Sequence, residues 1–325
     1  MRLDCRVATV EGPSGQDAPA PERPARDTPD RPAPAPGDDL GLEAATAEFT
    51  AVRPRLFGIA YRMLGSASEA EDLVQEVWLR WQAYDRASVA EPGAFLATIA
   101  TRLSINVLQS ARVRRETYIG PWLPEPVDTA ADPHLGAERG EALEYATLLL
   151  MERLSPNERA TYVLREAFDY PYGQIAEVLG TTPAAARQLA SRARRHIADG
   201  RRSRPAPHGQ RELLEAFMTA ARSGDMQGLE RLFAADVVNI SDGNGAVKVA
   251  RKPLVGATRV AKFLNAITWL WDDVTIEWKD LGGRTWAVLH QNGGVYAALT
   301  IDANTTGIDQ VLWLVAPEKL GAFQP

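Results

Sequence analysis

Residues 172–197 run YGQIAEVLGTTPAAARQLASRARRHI, and this stretch decides the fold of the middle of the chain. Ile175 and Leu179 fall on one helical face, Ala176 is small where two helices would cross, and Gly180 sits at a turn. A second helix opens at Thr182-Pro183 and runs to about Ile197, with Ala186 and Leu189 inward. That is a helix-turn-helix layout. The second helix carries Arg187, Gln188, Ser191, Arg192, Arg194 and Arg195 on its remaining faces. Between Pro183 and Arg204 stand seven arginines against one acid, Asp199, in a chain whose net charge is −6. A guanidinium pairs with phosphate and grips guanine through two bonds, so the stretch points to duplex DNA. The plainer alternative is a helical hairpin with a solvated basic face.

Upstream of it, Leu154-Ser155-Pro156-Asn157-Glu158 ends one helix and caps the next, with Pro156 at the tolerated first position. Helices resume at about Glu141. Before that, residues 119–140 hold four prolines and few helical signals, which marks a linker. From Gly41 to Glu116 the pattern is again helical. In Glu69 to Tyr84, Leu73, Val77 and Trp81 recur every four residues beside Val74 and Trp78, and Ser68 is the expected N-cap. Its polar stripe holds Glu71, Asp72, Gln75 and Glu76, either a protein-docking face or a solvated one. Pro92-Gly93 breaks the chain. A helix is then expected from about Ala94 to Arg115, with Phe95, Ile99, Leu103 and Val107 inward. Arg102, Asn106, Gln109, Ser110, Arg112, Arg114 and Arg115 line its polar side, suited to phosphates and bases or simply to the helix's negative end.

The 325 residues allow about two domains, or three small ones. The hydrophobic share of 45 % and charged share of 24 % exclude a wholly disordered or fibrous chain. One cysteine, Cys5, excludes an intrachain disulfide and a cysteine zinc site, and four scattered histidines argue against a metal centre. No apolar run approaches the roughly 18 residues of a membrane span. The start lacks an apolar leader core, so a cytoplasmic protein is expected. Residues 1–40 hold eight prolines, which points to a disordered tail or to a start assigned too far upstream.

After His208 the composition changes. A helix to about Ser223, the break Gly224-Asp225 and a second helix lead to β-like runs at Val237–Ser241, Val274–Lys279, Thr285–Gln291, Val295–Ile301 and Gly307–Val315. The last third is therefore an α+β domain behind two helical ones.

Two motifs in this order resemble a known family. Arg62-Met63-Leu64-Gly65 followed by Ala70-Glu71-Asp72-Leu73-Val74-Gln75-Glu76-Val77-Trp78 is similar to region 2 of sigma-70-type factors of the extracytoplasmic-function (ECF) group. Leu154 through Arg195 is similar to region 4, with Gln174 where the family commonly has Glu. Trp122-Leu123-Pro124-Glu125-Pro126, Asp242-Gly243-Asn244-Gly245-Ala246-Val247-Lys248 and Ala316-Pro317-Glu318-Lys319-Leu320 resemble signatures of ECF factors with a fused SnoaL-like domain. Asn244, Ala246, Ala316 and Glu318 depart from that pattern.

The resemblance implies a multidomain chain: a region 2 domain over 41–118, a linker over 119–140, a region 4 domain over 141–203 and a SnoaL-like α+β cone over 208–325. It implies a sigma factor rather than an enzyme, without cofactor or metal. Its partners would be core RNA polymerase, through the clamp helices of the largest subunit and the flap, and promoter DNA. Glu71, Asp72, Gln75 and Glu76 would dock on polymerase. The helix bearing Arg102–Arg115, with the loop before it, would melt and read the −10 element. Thr182, Pro183, Ala184, Arg187, Gln188, Ser191, Arg192, Arg194 and Arg195 would read the −35 element. Trp122, Leu123, Pro124, Glu125, Pro126, Asp242, Gly243, Gly245, Lys248, Pro317, Lys319 and Leu320 would join the last domain to the sigma core; opposite charges alone, not the resemblance, suggest that Lys248 meets Glu125 there.

Two alternatives stay open. One is a DNA-binding regulator whose last domain senses a small-molecule ligand. The other is a cyclase-like enzyme tethered to DNA, with Asp242, Asp272, Asp273 and His290 as candidate acids and bases. Trp269, Trp271, Trp278, Trp286 and Trp313 are expected in the core or in a pocket wall.

Overall fold

The computed structural model describes residues 39–115, 118–127, 144–201, 209–245 and 249–324. Apart from Asp39 these belong to one unit, Leu40–Pro325. The proline-rich tail and Lys248 lie outside the described residues.

Helix α1 (Asp39–Leu64) ends at Gly65, whose φ of +70° turns the chain sharply. Helix α2 (Ala67–Gln82) starts at once, so its N-cap is Ser66 rather than Ser68; the Ser66 hydroxyl accepts the Glu69 N–H at 3.2 Å. Leu73, Val74, Val77 and Trp81 form its buried stripe, and the Trp81 indole donates to the Ala45 carbonyl. Helix α3 (Pro92–Arg115) begins two residues before the expected start, with proline in its first turn. Its inner face is also rotated from the expected one. Leu96, Ala97, Ala100, Thr101, Ser104 and Ile105 are buried, while Phe95, Ile99, Leu103 and Val107 flank them half-buried. Thr101 and Ser104 tolerate burial because each hydroxyl donates to the carbonyl four residues back, at 2.8 Å.

Helices α4 (Tyr145–Met151), α5 (Pro156–Tyr162), α6 (Tyr172–Leu179) and α7 (Pro183–Arg201) follow. A reciprocal capping box between Ser155 and Glu158 starts α5. Gly180 ends α6 in the left-handed conformation, with the Thr181 N–H returning to the Ala176 carbonyl. One apolar cluster runs from Leu56, Ile59 and Trp81 through Leu164 and Ile175 to Ala186, so both helical modules share a core.

The last domain opens with α8 (Gln210–Ser223) and α9 (Met226–Leu232). It continues through β1 (Phe233–Asp242), β2 (Leu254–Val255), α10 (Ala257–Ala266), β3 (Thr275–Leu281), β4 (Arg284–Gln291), β5 (Gly294–Asn304) and β6 (Gly307–Leu314). The sheet order is β2-β1-β6-β5-β4-β3, antiparallel except for the parallel pair β1–β6. Strand β2 and helix α10 were not expected. Alternation sends Ala287, Leu289, Leu299, Val311 and Trp313 to one face, where Leu214, Phe217 and Leu264 from α8 and α10 cover them. The opposite face carries Trp286, Val288, Ala298, Leu312 and Leu314, covered by Leu123, Tyr145, Leu320 and Phe323. The sheet is thus buried on both sides, once by its own helices and once by the linker, α4 and the closing turns. Trp271, Trp286 and Trp313 are buried as expected; Trp269 is not, being 59 % exposed.

Candidate functional site

The linker segment 118–127 is gripped from both ends. Asp242, at the end of β1, is fully buried. Its carboxylate accepts the Tyr118 hydroxyl, the Leu123 N–H at 2.7 Å and the Lys319 ammonium at 2.7 Å. Lys319 also donates to the Leu123 carbonyl at 2.6 Å and lies 4.0 Å over the Trp122 ring. Burial, reinforced by the bond to Asp242, pushes the Tyr118 hydroxyl well above its ordinary range. The edge of Trp122 meets Gly65: a Cβ there would stand 2.8 Å from its Cη2. Trp122 is therefore held between the first helical module and the last domain.

Two residues on, the linker reaches α2. The Glu125 N–H donates to the Gly65 carbonyl at 2.8 Å, the Tyr61 hydroxyl to the Glu125 carbonyl, and the Glu125 carboxylate accepts the Ala67 N–H at 2.8 Å. Burial pushes the Glu125 carboxyl up, against the hydrogen bonds at this helix start and the charge of Lys319. Asp242, Lys319, Trp122 and Leu123 come together here, with Leu320 buried on the sheet beyond. Among the described residues Lys319 is a cation that meets the linker; the expected pairing of Lys248 with Glu125 lies outside the described residues. Tyr118 was missed; a single tyrosine in an aperiodic stretch gives no signal. Gly243 is buried, and a Cβ at Gly245 would press within 2.8 Å of Ile119. Two departures from the family pattern meet each other: the Asn244 amide donates to Glu318 at 2.8 Å. Pro317 is exposed, and Pro124 and Pro126 are buried.

On α7 the predicted residues Thr182, Pro183, Ala184, Arg187, Gln188, Ser191, Arg192, Arg194 and Arg195 are all exposed. Two arginines turn back onto their own module. Arg192 pairs with Glu158 at 3.1 Å and Arg194 with Glu166 at 2.7 Å. Burial pushes Glu158 up, but Ser155 and Arg192 outweigh it and its pKa falls; the bond to Glu166 raises that of Arg194. Both arginines remain about half exposed, so these pairs are weak and exchangeable. The far end of α7 is pressed on α4, where a Cβ at Gly200 would collide with Leu150 at 2.2 Å.

Arg102, Asn106, Gln109 and Ser110 are exposed on α3. Arg112, Arg114 and Arg115 lie in its last turns, and their side chains fall outside the described residues. Arg102 donates to the Val178 and Glu177 carbonyls, both at 2.9 Å, at the end of α6. On α2, Asp72, Gln75 and Glu76 are exposed, with Glu76 bonded to Arg80 and Glu71 to Arg53 of α1. Leu79, missed in the sequence, extends this face and is 59 % exposed.

The candidate acids and bases do not converge. Asp242 is consumed by the linker, Asp272 and Asp273 are exposed, and His290 bonds Glu277 at 2.9 Å. Among the described residues no His, Cys, Asp or Glu group is arranged for a metal, and no helix is long and apolar enough to cross a membrane.

Two helical modules with separate polar faces, one of them a basic helix-turn-helix, define a multidomain DNA-binding protein with a clasped α+β domain. The family profile described as Sigma-70 region 2 matches residues 49–114, and that described as Sigma-70, region 4 matches residues 146–197. The chain is 40 % identical over 227 residues to the ECF RNA polymerase sigma factor SigJ of Mycobacterium tuberculosis, covering 67 % of this chain and 71 % of that protein. It is 32 % identical over 222 residues to the probable ECF sigma factor SigI of the same species, covering 66 % of this chain and 76 % of that one. The crystal structure of the Mycobacterium tuberculosis SigJ matches with a TM-score of 0.64 at 32 % identity, covering 85 % of this chain and 98 % of that chain. The chain belongs to the ECF RNA polymerase sigma factors, which are transcription initiation factors rather than enzymes.

Proposed function

We propose that α2 docks on the clamp helices of the polymerase largest subunit through Glu71, Asp72, Gln75, Glu76 and Leu79, and that region 4 contacts the flap. The α3 face of Arg102, Asn106, Gln109, Ser110, Arg112, Arg114 and Arg115 melts and reads the −10 element, and the α7 face from Thr182 to Arg195 reads the −35 element. The last domain regulates these events in cis through Trp122–Pro126, Asp242, Lys319 and Leu320. The observation that carries this reading is the buried Asp242–Lys319 pair closed around the Leu123 backbone. A passenger domain would have no reason to bury a charge pair on the linker between two DNA modules, since taking each ion out of water costs several kcal/mol. A small-molecule ligand is not needed for regulation by contact. The feature of the last domain that favours one is an unpaired buried donor, the Trp271 indole N–H.

Asp72→Arg with Glu76→Arg tests the docking face, because both side chains are exposed and neither supports the core. Recovery of core polymerase in a pull-down should fall by roughly ten-fold or more, the scale of like charges placed across an interface, with the helical circular dichroism unchanged. Undiminished recovery refutes the docking assignment.

A further inference from the structure

We infer that Arg102 is an exchangeable contact: in the free factor its guanidinium holds the end of α6, and on the promoter it is handed to the backbone of the −10 strand. The inference rests on α3 being the −10 helix. The last carbonyls of a helix have no intrahelical donor and carry the negative end of its dipole. Arg102 spans two of them, Glu177 and Val178, with Nε and Nη2, both at 2.9 Å. Two adjacent oxygens bearing partial negative charge are also what a phosphate offers to the planar fork of an arginine. Arg102, Asn106 and Gln109 stand four and three residues apart, so they share one face of α3. A strand laid along that face would meet Arg102 first at its fork, and one fork cannot hold both targets.

The contact therefore links two events. Drawing Arg102 to DNA takes its two bonds from the Val178 and Glu177 carbonyls, leaving the end of α6 only the backbone donors of Gly180 and Thr181, and loosens region 4 from α3; holding α6 lowers the apparent affinity for the strand in proportion to the closed population. The −35 face of α7 lies on the exposed side and is not involved. The other contacts between the modules are apolar packing, Arg55 and Arg62 over Phe168, and a buried bond from Arg159 Nε to the Arg62 carbonyl at 2.9 Å; none of these involves a DNA-facing residue of α3.

Hydrogen exchange of segment 172–180 in the full-length chain, with a single-stranded −10 oligonucleotide as probe, tests the exchange. Saturating strand should accelerate exchange of this segment in the wild type. Arg102→Ala should accelerate it by about ten-fold without any strand, the factor expected for losing charge-assisted bonds, and added strand should then change it little. Arg102→Lys, which cannot span two carbonyls, should fall between. A fixed cap of α6 would give a different pattern: strand bound to the wild type with exchange of 172–180 unchanged. That result overturns the inference, as does equal strand affinity for the wild type and Arg102→Ala. Asn106→Ala and Gln109→Ala report separately on the −10 helix. If neither weakens the strand, the assignment of α3 fails whatever happens at α6.

Discussion

Glu125 stands between two helices and one strap, buried, with its carboxylate on the start of α2. Burial raises its pKa, so the folded chain keeps a proton that the unfolded chain has released. The wild type should therefore lose stability as pH rises from the ordinary glutamate range through the raised value, and the loss should be complete above it. Glu125→Gln keeps an oxygen for the Ala67 N–H and has no charge to bury. Urea unfolding between pH 4.5 and 8 should show a flatter profile for the variant; a slope equal to the wild type's would count against this account. The sequence marked Glu125, Asp242 and Lys319 through their motifs, but not the pairing of Asp242 with Lys319. Lys319 lies 77 residues from Asp242 along the chain, and only the folded sheet brings the two onto one turn of linker.

Helices were the most legible elements, because apolar spacing and caps are local. The capping box at Ser155 and Glu158 and the turn at Gly180 stand where the sequence put them. The inner face of α3 was misplaced because its crossing is made by Ala97, Ala100, Thr101 and Ser104. Small and hydroxylated side chains give no apolar signal, yet they allow the close approach that larger ones prevent. On α7 the exposed polar face was legible, but the turning back of Arg192 and Arg194 onto Glu158 and Glu166 was not, since those acids belong to α5 and the π turn after it. Arg192→Ala should weaken promoter duplex by about 1–3 kcal/mol if it reads a base, and weaken promoter and scrambled duplexes alike if it holds phosphate. Competition anisotropy separates the two outcomes, and no loss on either duplex removes Arg192 from the interface.

At the scale of the whole chain, both faces of the sheet are covered, and the outer cover is borrowed from the linker and α4. The sequence showed an α+β domain but not β2 or α10, because a two-residue strand has no period to detect and α10 follows it directly. Removal from Ala316 onward takes away Lys319, Leu320 and Phe323 together, leaving Asp242 buried without its cation and Trp286 without part of its cover. Run-off transcription with core polymerase should rise for this truncation and fall when everything after Pro207 is removed. Equal activity for both and for the intact chain would mean that the last domain has no influence in cis. The central place of β6 has a further consequence, in the order in which the molecule is made. Strand β6 lies between β1 and β5, so the sheet cannot close until the ribosome has synthesised residue 314. At typical elongation rates of about 5–20 residues per second, more than 100 residues of last domain take on the order of ten seconds to appear. During that interval each newborn chain carries both promoter-reading modules and no clasp.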